Sequence, residues 1–281
     1  MPQKSILVTG CSSGIGRCVA EGLQQRGYRV FATARRDEDI DALKALGMEA
    51  SYLEMSDPAS ITKTVTAVLQ STNGTLDALF NNAAYGQPGA VEDLSLDVLR
   101  QQFETNFFGT HELTRQIIPV MRQQGHGRII NNSSVLGFVA LPFRGAYNAS
   151  KFALEGLTDT LRLELTGSGI HISLIEPGSI TSHFRKTAHV MYQHHINSQN
   201  SVHRNTYLGM EKRLQKSEPA APFTLPPEAV LKKVVHALES PRPKIRYYVT
   251  VPTWLFATLR HFLSYRMMDK LLNRVSKREN R

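Results

Sequence analysis

Short apolar runs rich in β-branched residues alternate with segments of helical periodicity, and no other feature of the sequence constrains the fold as much. Between the runs, apolar residues recur at helical spacing, as Leu99, Phe103 and Phe107 do. Strands that alternate with helices over this length build a parallel sheet with helices on both faces. We therefore predict an α/β fold with a doubly wound parallel sheet, in which ligands bind at the carboxyl ends of the strands. The predicted strands span residues 5–8, 29–33, 76–80, 127–132, 170–175 and 246–251.

The organisation along the chain predicts a single domain with a helical extension. A length of 281 residues suffices for one α/β core, and no internal repeat marks a second unit. We assign residues 1–250 to this domain and residues 251–281 to a basic amphipathic helical tail. Residues 182–227 are polar and rich in His, Gln, Asn and Ser, which predicts a long, mobile substrate loop. A helix from residue 228 to about residue 238 is expected to follow this loop.

The net charge of +9 is concentrated at the C-terminus, where residues 242–281 hold ten Lys or Arg against two acids. A tail of this kind can contact acidic lipid headgroups or nucleic acid, but a solvated helical face is the favoured interpretation. We expect the tail to pack on the protein, with weak peripheral membrane contact as a minority alternative and no nucleic-acid partner.

The cysteines and the apolar content indicate a cytoplasmic protein. Cys11 and Cys18 lie too close together and too early in the chain to form a disulfide framework or a metal quartet. No apolar signal region precedes the first strand, and no apolar stretch reaches the roughly 18 residues of a spanning helix. Several histidines crowd the predicted loop, but no acid or cysteine stands among them at ligand spacing, so no metal site is predicted. These histidines are His183, His189, His194, His195 and His203.

A glycine-rich segment, Thr-Gly-Cys-Ser-Ser-Gly-Ile-Gly at residues 9–16, follows the first predicted strand and opens a helix. The glycines let the backbone approach a pyrophosphate, and the N–H groups at the helix start attract its negative charge. This strand–loop–helix context favours a dinucleotide site in a Rossmann-like sheet over an ordinary tight turn. The expected cofactor contacts are Gly10, Ser12, Ser13, Gly14, Ile15 and Gly16.

A tyrosine and a lysine supply the candidate proton-transfer chemistry. Tyr147 and Lys151 are four residues apart in a helical pattern, which places both side chains on one face. The pKa of a free phenol is about 10, and a nearby ammonium group is expected to lower it by favouring the phenolate. Tyr147 can then act as a general acid or a general base. Taken alone, this spacing is common in helices and is more often structural.

A serine stands close to this pair in the predicted fold. Ser134 follows the strand that is predicted to end at residue 132, where a hydroxyl can hydrogen-bond a substrate oxygen. Its neighbour Ser133 is an alternative by residue type alone, but the spacing to Tyr147 favours Ser134. No Gly-x-Ser-x-Gly elbow surrounds it, so a nucleophilic role is not expected.

Taken together, these motifs resemble the short-chain dehydrogenase/reductase family over about the first 180 residues. The resemblance implies that Tyr147, Lys151, Ser134 and Asn106 form the catalytic set and that a homo-oligomer assembles. In that family Asn106 would position a water that relays protons to Lys151, while its structural alternative is a hydrogen bond to a backbone group. The resemblance also implies cofactor contacts from Glu54, Met55, Asn81, Ala83, Tyr147, Lys151, Pro177, Gly178, Ile180 and Thr181.

The end of the second predicted strand indicates which cofactor binds. An NAD enzyme places a carboxylate there to bond the ribose 2′-hydroxyl. This chain has Arg35 and Arg36 instead, and guanidinium groups bind a 2′-phosphate well. NADP(H) is therefore the predicted cofactor, although two solvated surface arginines and the following Asp37 are the alternative.

Apolar residues around the candidate site predict a lipophilic substrate. The residues expected to contact a small carbonyl or alcohol substrate are Ser134, Leu136, Phe143 and Tyr147. The C-terminal sequence is similar to the retinol and hydroxysteroid dehydrogenase branch and to bacterial NADPH-dependent aldehyde reductases. We predict an NADP(H)-dependent oxidoreductase that reduces a lipophilic aldehyde or ketone to the alcohol, foremost an aldehyde reductase. The alternatives are a hydroxysteroid or retinol-type alcohol dehydrogenase and a non-catalytic NADP-binding regulator.

Overall fold

The computed structural model describes residues 3–216 and 222–279. The strands are β1 (Ser5–Val8), β2 (Arg29–Ala34), β3 (Glu49–Tyr52), β4 (Ala78–Asn81), β5 (Gly127–Asn132), β6 (Ile170–Glu176) and β7 (Arg246–Tyr248). They form one sheet in the order β3-β2-β1-β4-β5-β6-β7, and every neighbouring pair is parallel. The predicted doubly wound parallel sheet is confirmed.

Helices connect the strands and cover the sheet. They are α1 (Gly14–Gln25), α2 (Asp37–Ala45), α3 (Pro58–Ser71), α4 (Leu96–Phe103), α5 (Gly109–Gln124), α6 (Gly145–Glu164), α7 (Phe184–His195), α8 (Arg204–Gln215), α9 (Glu228–Glu239), α10 (Val251–Leu259) and α11 (Tyr265–Glu279). A π-helical turn, Glu104–Phe108, joins α4 to α5, and a short 3-10 turn, Val135–Gly137, follows β5.

Two apolar cores lie on opposite faces of the sheet, as the pleat of a fully buried strand requires. Along β1, Ile6 and Val8 belong to the core under α1 and α9, whereas Leu7 belongs to the core under α3 and α5. The four residues of β1 are all buried, which explains why the central strands read as continuous apolar runs rather than as alternating patterns.

The strand order reverses direction at β1, because β2 lies on one side of it and β4 on the other. Connections leave to opposite faces of the sheet at such a point, and a crevice opens outside the carboxyl ends of the strands. The glycine-rich loop after β1 and the polar residues after β4 and β5 therefore converge on one place.

Four of the six predicted strands differ in their bounds, most of all the last, and one strand was not predicted. β3 forms the edge of the sheet and its four residues are exposed or half-buried, so they carry no apolar signal. The last strand ends at Tyr248 rather than at residue 251, because the Thr250 side chain accepts a hydrogen bond from the Thr253 N–H and caps α10. Pro252 in the first turn of α10 also favours a helix there.

The prediction of a mobile loop over residues 182–227 is wrong for the part of it that the structure describes. This region contains α7 and α8, which pack against each other around buried Tyr192, Tyr207 and Met210. The Tyr207 hydroxyl donates to Asp93 Oδ2 at 2.5 Å and accepts from the Ala90 N–H at 2.9 Å. The apolar stripes of these helices are short and built from amphipathic tyrosines, so polar composition concealed them. Residues 217–221 of the predicted loop lie outside the described residues.

The C-terminal tail is helical, as predicted, but it forms two helices instead of one continuous run. α10 ends at Leu259 and α11 begins at Tyr265. Within residues 3–216 and 222–279, no helix has both the length and the apolar character needed to cross a bilayer. Residues 280 and 281 of the tail lie outside the described residues.

Candidate active site

The glycine-rich loop turns sharply from β1 into α1 and depends on glycine for two reasons. Gly10 has a φ of +72°, in the left-handed region. A Cβ on Gly16 would lie 2.1 Å from the Gly10 carbonyl oxygen, so no larger residue fits there. The Ser13 side chain forms no capping hydrogen bond, and the first turn of α1 contains no acid. The backbone N–H groups of that turn are therefore available to an anion such as a pyrophosphate.

A cleft of about 390 Å³ lies in front of this helix start. It brings Ser13 and Gly14 together with Thr181, as the sequence predicts. The segment after β6 is held in place by backbone hydrogen bonds from Thr181 to Leu225 and from Leu225 to Ser179. Hydroxyl groups from this segment and free N–H groups from α1 suit the phosphates of a dinucleotide. The lining residues are Ser13, Gly14, Arg17, Cys18, Glu21, Thr181, Ser182, His183 and Pro227.

The two arginines after β2 are exposed, and each already has an acidic partner. Arg35 is 3.3 Å from Glu54 Oε2, whereas Arg36 forms a two-pronged bond with Asp39 in its own helix. The side chain of Arg36 is 71% exposed. Met55 is buried in the core under α5, so its side chain does not line the cleft. Arg35 and Glu54 thus lie together beyond the ends of β2 and β3.

The asparagines after β4 have different roles. The Asn81 amide donates to Thr114 Oγ1 and Asn131 Oδ1 in the interior, so its side chain supports the core and not the cleft. Its neighbour Asn82, which the sequence reasoning did not select, donates to the carbonyl oxygens of Thr9 and Gly10. The Ala83 N–H donates to Thr9 Oγ1. Asn82 fixes the glycine-rich loop, and only the alternation of side chains along a strand could have pointed to it.

A chain of hydrogen bonds leads from this loop to the candidate lysine. The Asn132 side-chain amide donates to Asn82 Oδ1 at 2.9 Å. The Lys151 ammonium group donates to the Asn132 carbonyl oxygen at 2.7 Å, and Lys151 is buried. The carboxyl ends of β1, β4 and β5 are thereby tied to α6 at one point.

Tyr147, Ser134 and Lys151 are brought together as predicted. The Tyr147 phenol hydrogen-bonds Ser134, whose hydroxyl also accepts from the Leu136 N–H at 3.1 Å. The Lys151 ammonium nitrogen lies 5.8 Å from the centre of the Tyr147 ring. A phenol, a hydroxyl and a buried cation therefore lie close together between the end of β5 and the start of α6.

The pKa of Tyr147 moves against the sequence-based expectation. Burial raises it to about 12, and the Ser134 hydrogen bond and the Arg144 charge only partly oppose this. Burial lowers the pKa of Lys151 to about 8, while the Glu155 carboxylate acts in the opposite direction. The prediction of a lowered phenol pKa is thus wrong for the chain alone, because desolvation of the phenolate outweighs the Ser134 hydrogen bond and the Arg144 charge. The phenol keeps its proton throughout the neutral range.

Asn106 lies in the π-helical turn and is buried. Its amide nitrogen donates to the Tyr85 carbonyl oxygen and to Ser150 Oγ, and its Oδ1 accepts from the Tyr85 N–H. These contacts match the structural alternative, a bond to backbone groups. They brace the segment after β4 against α6, and a π-helical turn is a frequent device for placing such a residue.

The predicted substrate residues lie in two neighbouring apolar clusters. Leu136 packs with Met268 and Leu272 of α11. The Phe143 ring packs against His203 and Tyr207, and its backbone has a φ of +61°. Leu136 is thus covered by α11, and Phe143 lies against α8.

Phe184, at the start of α7, was missed by the sequence reasoning. Its ring centre lies 5.4 Å from that of Tyr147 in an edge-to-face arrangement. A Cβ on Gly86 would lie 2.9 Å from the Phe184 ring, so Gly86 makes room for it. The assignment of this region to a loop removed Phe184 from consideration, although it covers the phenol.

A mostly buried ionic cluster lies beside the site, and no local motif predicts it. Arg246 on β7 contacts the carboxylates of Glu155 and Glu176, the latter at 2.5 Å, and Asp159 at 2.6 Å. Burial raises the pKa of both glutamates, that of Glu176 to about 8. Glu155 lies one helical turn beyond Lys151, and Glu176 directly precedes Pro177. The cluster therefore supports both the catalytic helix and the segment after β6.

That segment begins with Pro177 and Gly178, and close packing fixes it. The Pro177 carbonyl oxygen accepts from the Val135 N–H at 2.9 Å. A Cβ on Gly178 would lie 2.2 Å from Thr250 Oγ1, so glycine is required there as well. Ile180 pairs with Leu225 in an isolated parallel bridge. These predicted cofactor residues thus form a rigid wall opposite the loop after β1.

Comparison with known proteins identifies relatives of the whole chain. Residues 4–192 match the family model described as short chain dehydrogenase. An uncharacterized oxidoreductase of Escherichia coli strain K12, YbbO, is 41% identical over 96% of this chain and 94% of its own length. Human retinol dehydrogenase 8 is 33% identical over 92% of this chain and 85% of its own. Human 17-beta-hydroxysteroid dehydrogenase type 1 is 32% identical over 89% of this chain and 78% of its own.

Solved structures share the architecture. A short chain dehydrogenase/reductase from Burkholderia phymatum in complex with NAD has a TM-score of 0.77 and 26% identity, with 92% of each chain covered. A serine dehydrogenase complexed with NADP+ has a TM-score of 0.75 and 25% identity, with 89% of this chain and 95% of that one covered. The two neighbours bind different nucleotides on the same fold.

Proposed function

The chain belongs to the short-chain dehydrogenase/reductase family, and from this premise we propose that it is an NADP(H)-dependent reductase of lipophilic aldehydes or ketones. One observation carries the proposal: Tyr147 is hydrogen-bonded to Ser134 beside buried Lys151, at the carboxyl ends of the central strands and next to the glycine-rich loop. This is a proton donor placed where a parallel α/β sheet binds nucleotides.

The residues divide the chemistry of carbonyl reduction among them. The bound dinucleotide would supply a hydride to the carbonyl carbon. The Tyr147 phenol donates its proton to the carbonyl oxygen. The hydride on carbon and the proton on oxygen convert the carbonyl group into an alcohol. The Ser134 hydroxyl hydrogen-bonds the same oxygen and stabilises the negative charge that develops there. The Lys151 cation favours the phenolate that remains after the transfer.

The state of the phenol is compatible with the direction of reaction that we propose. Burial raises it to about 12, so Tyr147 is protonated at neutral pH and is ready to act as an acid. Reduction needs that acid, whereas alcohol oxidation needs the phenolate. This supports the role of an aldehyde or ketone reductase.

The proposal for NADP(H) rests on Arg35, whose partner Glu54 is the carboxylate that a 2′-phosphate would replace. We expect Arg35→Ser to raise the KM for NADPH roughly tenfold or more, because it removes a charge-assisted hydrogen bond to phosphate. The KM for NADH should stay unchanged. Arg36→Ser is the matched control, since Arg36 is held by Asp39 in its own helix. Equal effects of Arg35→Ser on both nucleotides would contradict the assignment.

The proposed substrate class follows from the apolar side chains around the candidate site, among them Leu136, Phe143 and Phe184. We expect loss of NADPH absorbance with long alkyl aldehydes, and weaker activity with short or hydroxylated ones, because these side chains offer apolar contacts. Retinal and steroid ketones belong in the same panel, since a retinol and a hydroxysteroid dehydrogenase are among the relatives. Turnover of sugars in preference to all of these would overturn the proposal.

The pH dependence of the reaction should report the charge of Lys151. Its pKa is lowered to about 8, so the cation is lost as pH rises through that value. We therefore expect kcat/KM for reduction to decline above pH 8. Glu155→Gln removes the carboxylate that raises this pKa and should move the decline to lower pH. Glu164→Gln, at an exposed position of the same helix, should leave the decline in place, and a decline unmoved by Glu155→Gln would exclude Lys151 as its source.

A further inference from the structure

The outward face of α10 is apolar. Val251, Trp254 and Leu255 are 63%, 60% and 45% exposed. Their spacing places them on one stripe of the helix. The opposite side of α10 is also apolar and is packed on the protein, through Phe256, Leu259 and buried Ala257. A helix at the surface of a soluble domain normally has one apolar stripe and one polar face, so α10 is exceptional.

The apolar surface continues beyond the end of α10. Phe262 in the connecting turn is 80% exposed, and Tyr265 and Met267 at the start of α11 are 92% and 55% exposed. Six large apolar side chains within 17 residues of sequence therefore face solvent, and we call them the apolar patch. Scattered exposed apolar residues are ordinary, but a contiguous group rimmed by polar residues marks a contact surface.

Cations flank the apolar patch. On α11, Met268 and Leu272 are buried against the domain, while Lys270, Arg274 and Lys277 recur at helical spacing on the exposed side. We call these three the cationic row. Arg260 and Arg266 are exposed next to the patch itself. Asp269 is the single acid between residues 251 and 278, so the surface is strongly positive.

We propose that the apolar patch and the cationic row together dock the protein on an anionic lipid bilayer. Aromatic side chains with a polar edge, such as Trp254 and Tyr265, favour the boundary between headgroups and acyl chains. Lysine and arginine beside them attract the negative surface of the leaflet. The observed combination of exposed aromatic and aliphatic residues with cations matches both halves of such a boundary.

Charge complementarity selects this occupant over two others. A second copy that met this face would bring two cationic rows together, and like charges across an interface weaken it. A nucleic acid would attract the cationic row but would offer nothing to Val251 or Leu255. An anionic bilayer satisfies both kinds of side chain.

The inner side of the same helices borders the candidate active site. Leu259 and Leu263 pack with Leu136 and Val139, in a cluster that Tyr147 also contacts. Docking would thus hold these apolar side chains beside the acyl chains, where lipophilic aldehydes and ketones dissolve. This second step rests on the proposed function, whereas docking itself does not.

The fluorescence of Trp254 can be used to measure docking, because Trp254 is the only tryptophan of the sequence and lies in the apolar patch. In the full-length protein without nucleotide, vesicles of phosphatidylcholine and phosphatidylglycerol should shift Trp254 emission to the blue. Brominated lipid in those vesicles should quench this emission. Vesicles of phosphatidylcholine alone should cause little change, and high salt should reverse the shift.

Paired variants separate the two components of the surface. Two double variants should each weaken vesicle binding about tenfold or more. One combines Phe262→Ser with Tyr265→Ser, and the other combines Lys270→Glu with Arg274→Glu. Two control double variants alter exposed residues outside the apolar patch and the cationic row. The first, Val91→Ser with Val202→Ser, removes exposed apolar side chains. The second, Lys63→Glu with Arg122→Glu, changes the net charge by the same amount as Lys270→Glu with Arg274→Glu. Neither control pair should alter binding.

Three results would overturn the proposal. One is an emission of Trp254 that no anionic vesicle changes. Another is a blue shift that depends on protein concentration without vesicles, which would assign the face to a second copy. The third is a shift produced by duplex DNA but not by vesicles. Because these measurements need neither nucleotide nor substrate, failure of docking remains distinct from failure of the proposed reductase activity.

Discussion

Phenylalanine in place of Tyr147 is expected to lower kcat for carbonyl reduction by roughly 10²- to 10⁴-fold, because it removes the general acid. The ring remains, so its contact with Phe184 and the packing of α6 should persist. Stopped-flow or steady-state NADPH absorbance measures the rate, and the fluorescence of bound NADPH measures cofactor affinity. We expect that affinity to remain within about twofold of the wild type, since the lost hydroxyl hydrogen-bonds Ser134.

The matched control for this substitution is Tyr52→Phe, because Tyr52 is half-exposed on the edge strand β3. It should leave both kcat and NADPH affinity unchanged. Full activity of the Tyr147→Phe variant would contradict the mechanism. A wild-type chain that binds NADPH but reduces none of the carbonyls in the panel would point instead to a non-catalytic regulator.

Methionine in place of Arg246 should destabilise the protein by about 3 kcal/mol, because it leaves Glu155 and Glu176 buried without their cation. Urea unfolding followed by circular dichroism measures this loss. The loss should shrink as pH falls from 8 toward 5. Without the guanidinium the glutamate pKa values lie further above their unfolded values, so the stability that their protons confer is lost as pH rises.

Two controls distinguish the buried cluster from ordinary ion pairs. Arg26→Met removes a two-pronged pair with Glu239 in which both side chains are well exposed, so its effect should be much smaller than that of Arg246→Met. Adding Glu155→Gln and Glu176→Gln to Arg246→Met should recover much of the stability, because no uncompensated charge then remains. If Arg246→Met costs no more than Arg26→Met, the cluster does not stabilise the fold.

Much of the fold was predictable because strand and helix periodicities are strong in the buried half of the chain. β1, β5 and β6 each contain buried apolar residues rich in Ile, Leu or Val, and each is followed by residues that belong at the carboxyl edge of a sheet. β3 was not predicted from the sequence, because an edge strand needs few apolar residues. The α7–α8 pair was not predicted, because its packing uses tyrosines, histidines and glutamine. One example is the hydrogen bond of 2.8 Å between the side chains of His195 and Gln87.

The candidate site was predictable where a motif is local and was not where contacts are distant in sequence. Tyr147 and Lys151 share one helix face, and the glycine-rich loop is continuous, so their local spacing together with the family resemblance pointed to them. Phe184 reaches Tyr147 from a segment whose helix was not predicted. The net pKa of the phenol depends on burial, which no residue spacing reveals.

The position of Arg246 on the last strand affects how the chain folds during synthesis. Its partners Glu155 and Glu176 precede it by 91 and 70 residues. Ribosomes add about 5–20 residues per second, so the two carboxyl groups wait for seconds before their cation emerges. Until β7 docks, the half of the sheet that contains β5 and β6 would have to bury uncompensated charge. The half of the sheet that contains β5 and β6 is therefore completed only when β7 docks, near the end of translation.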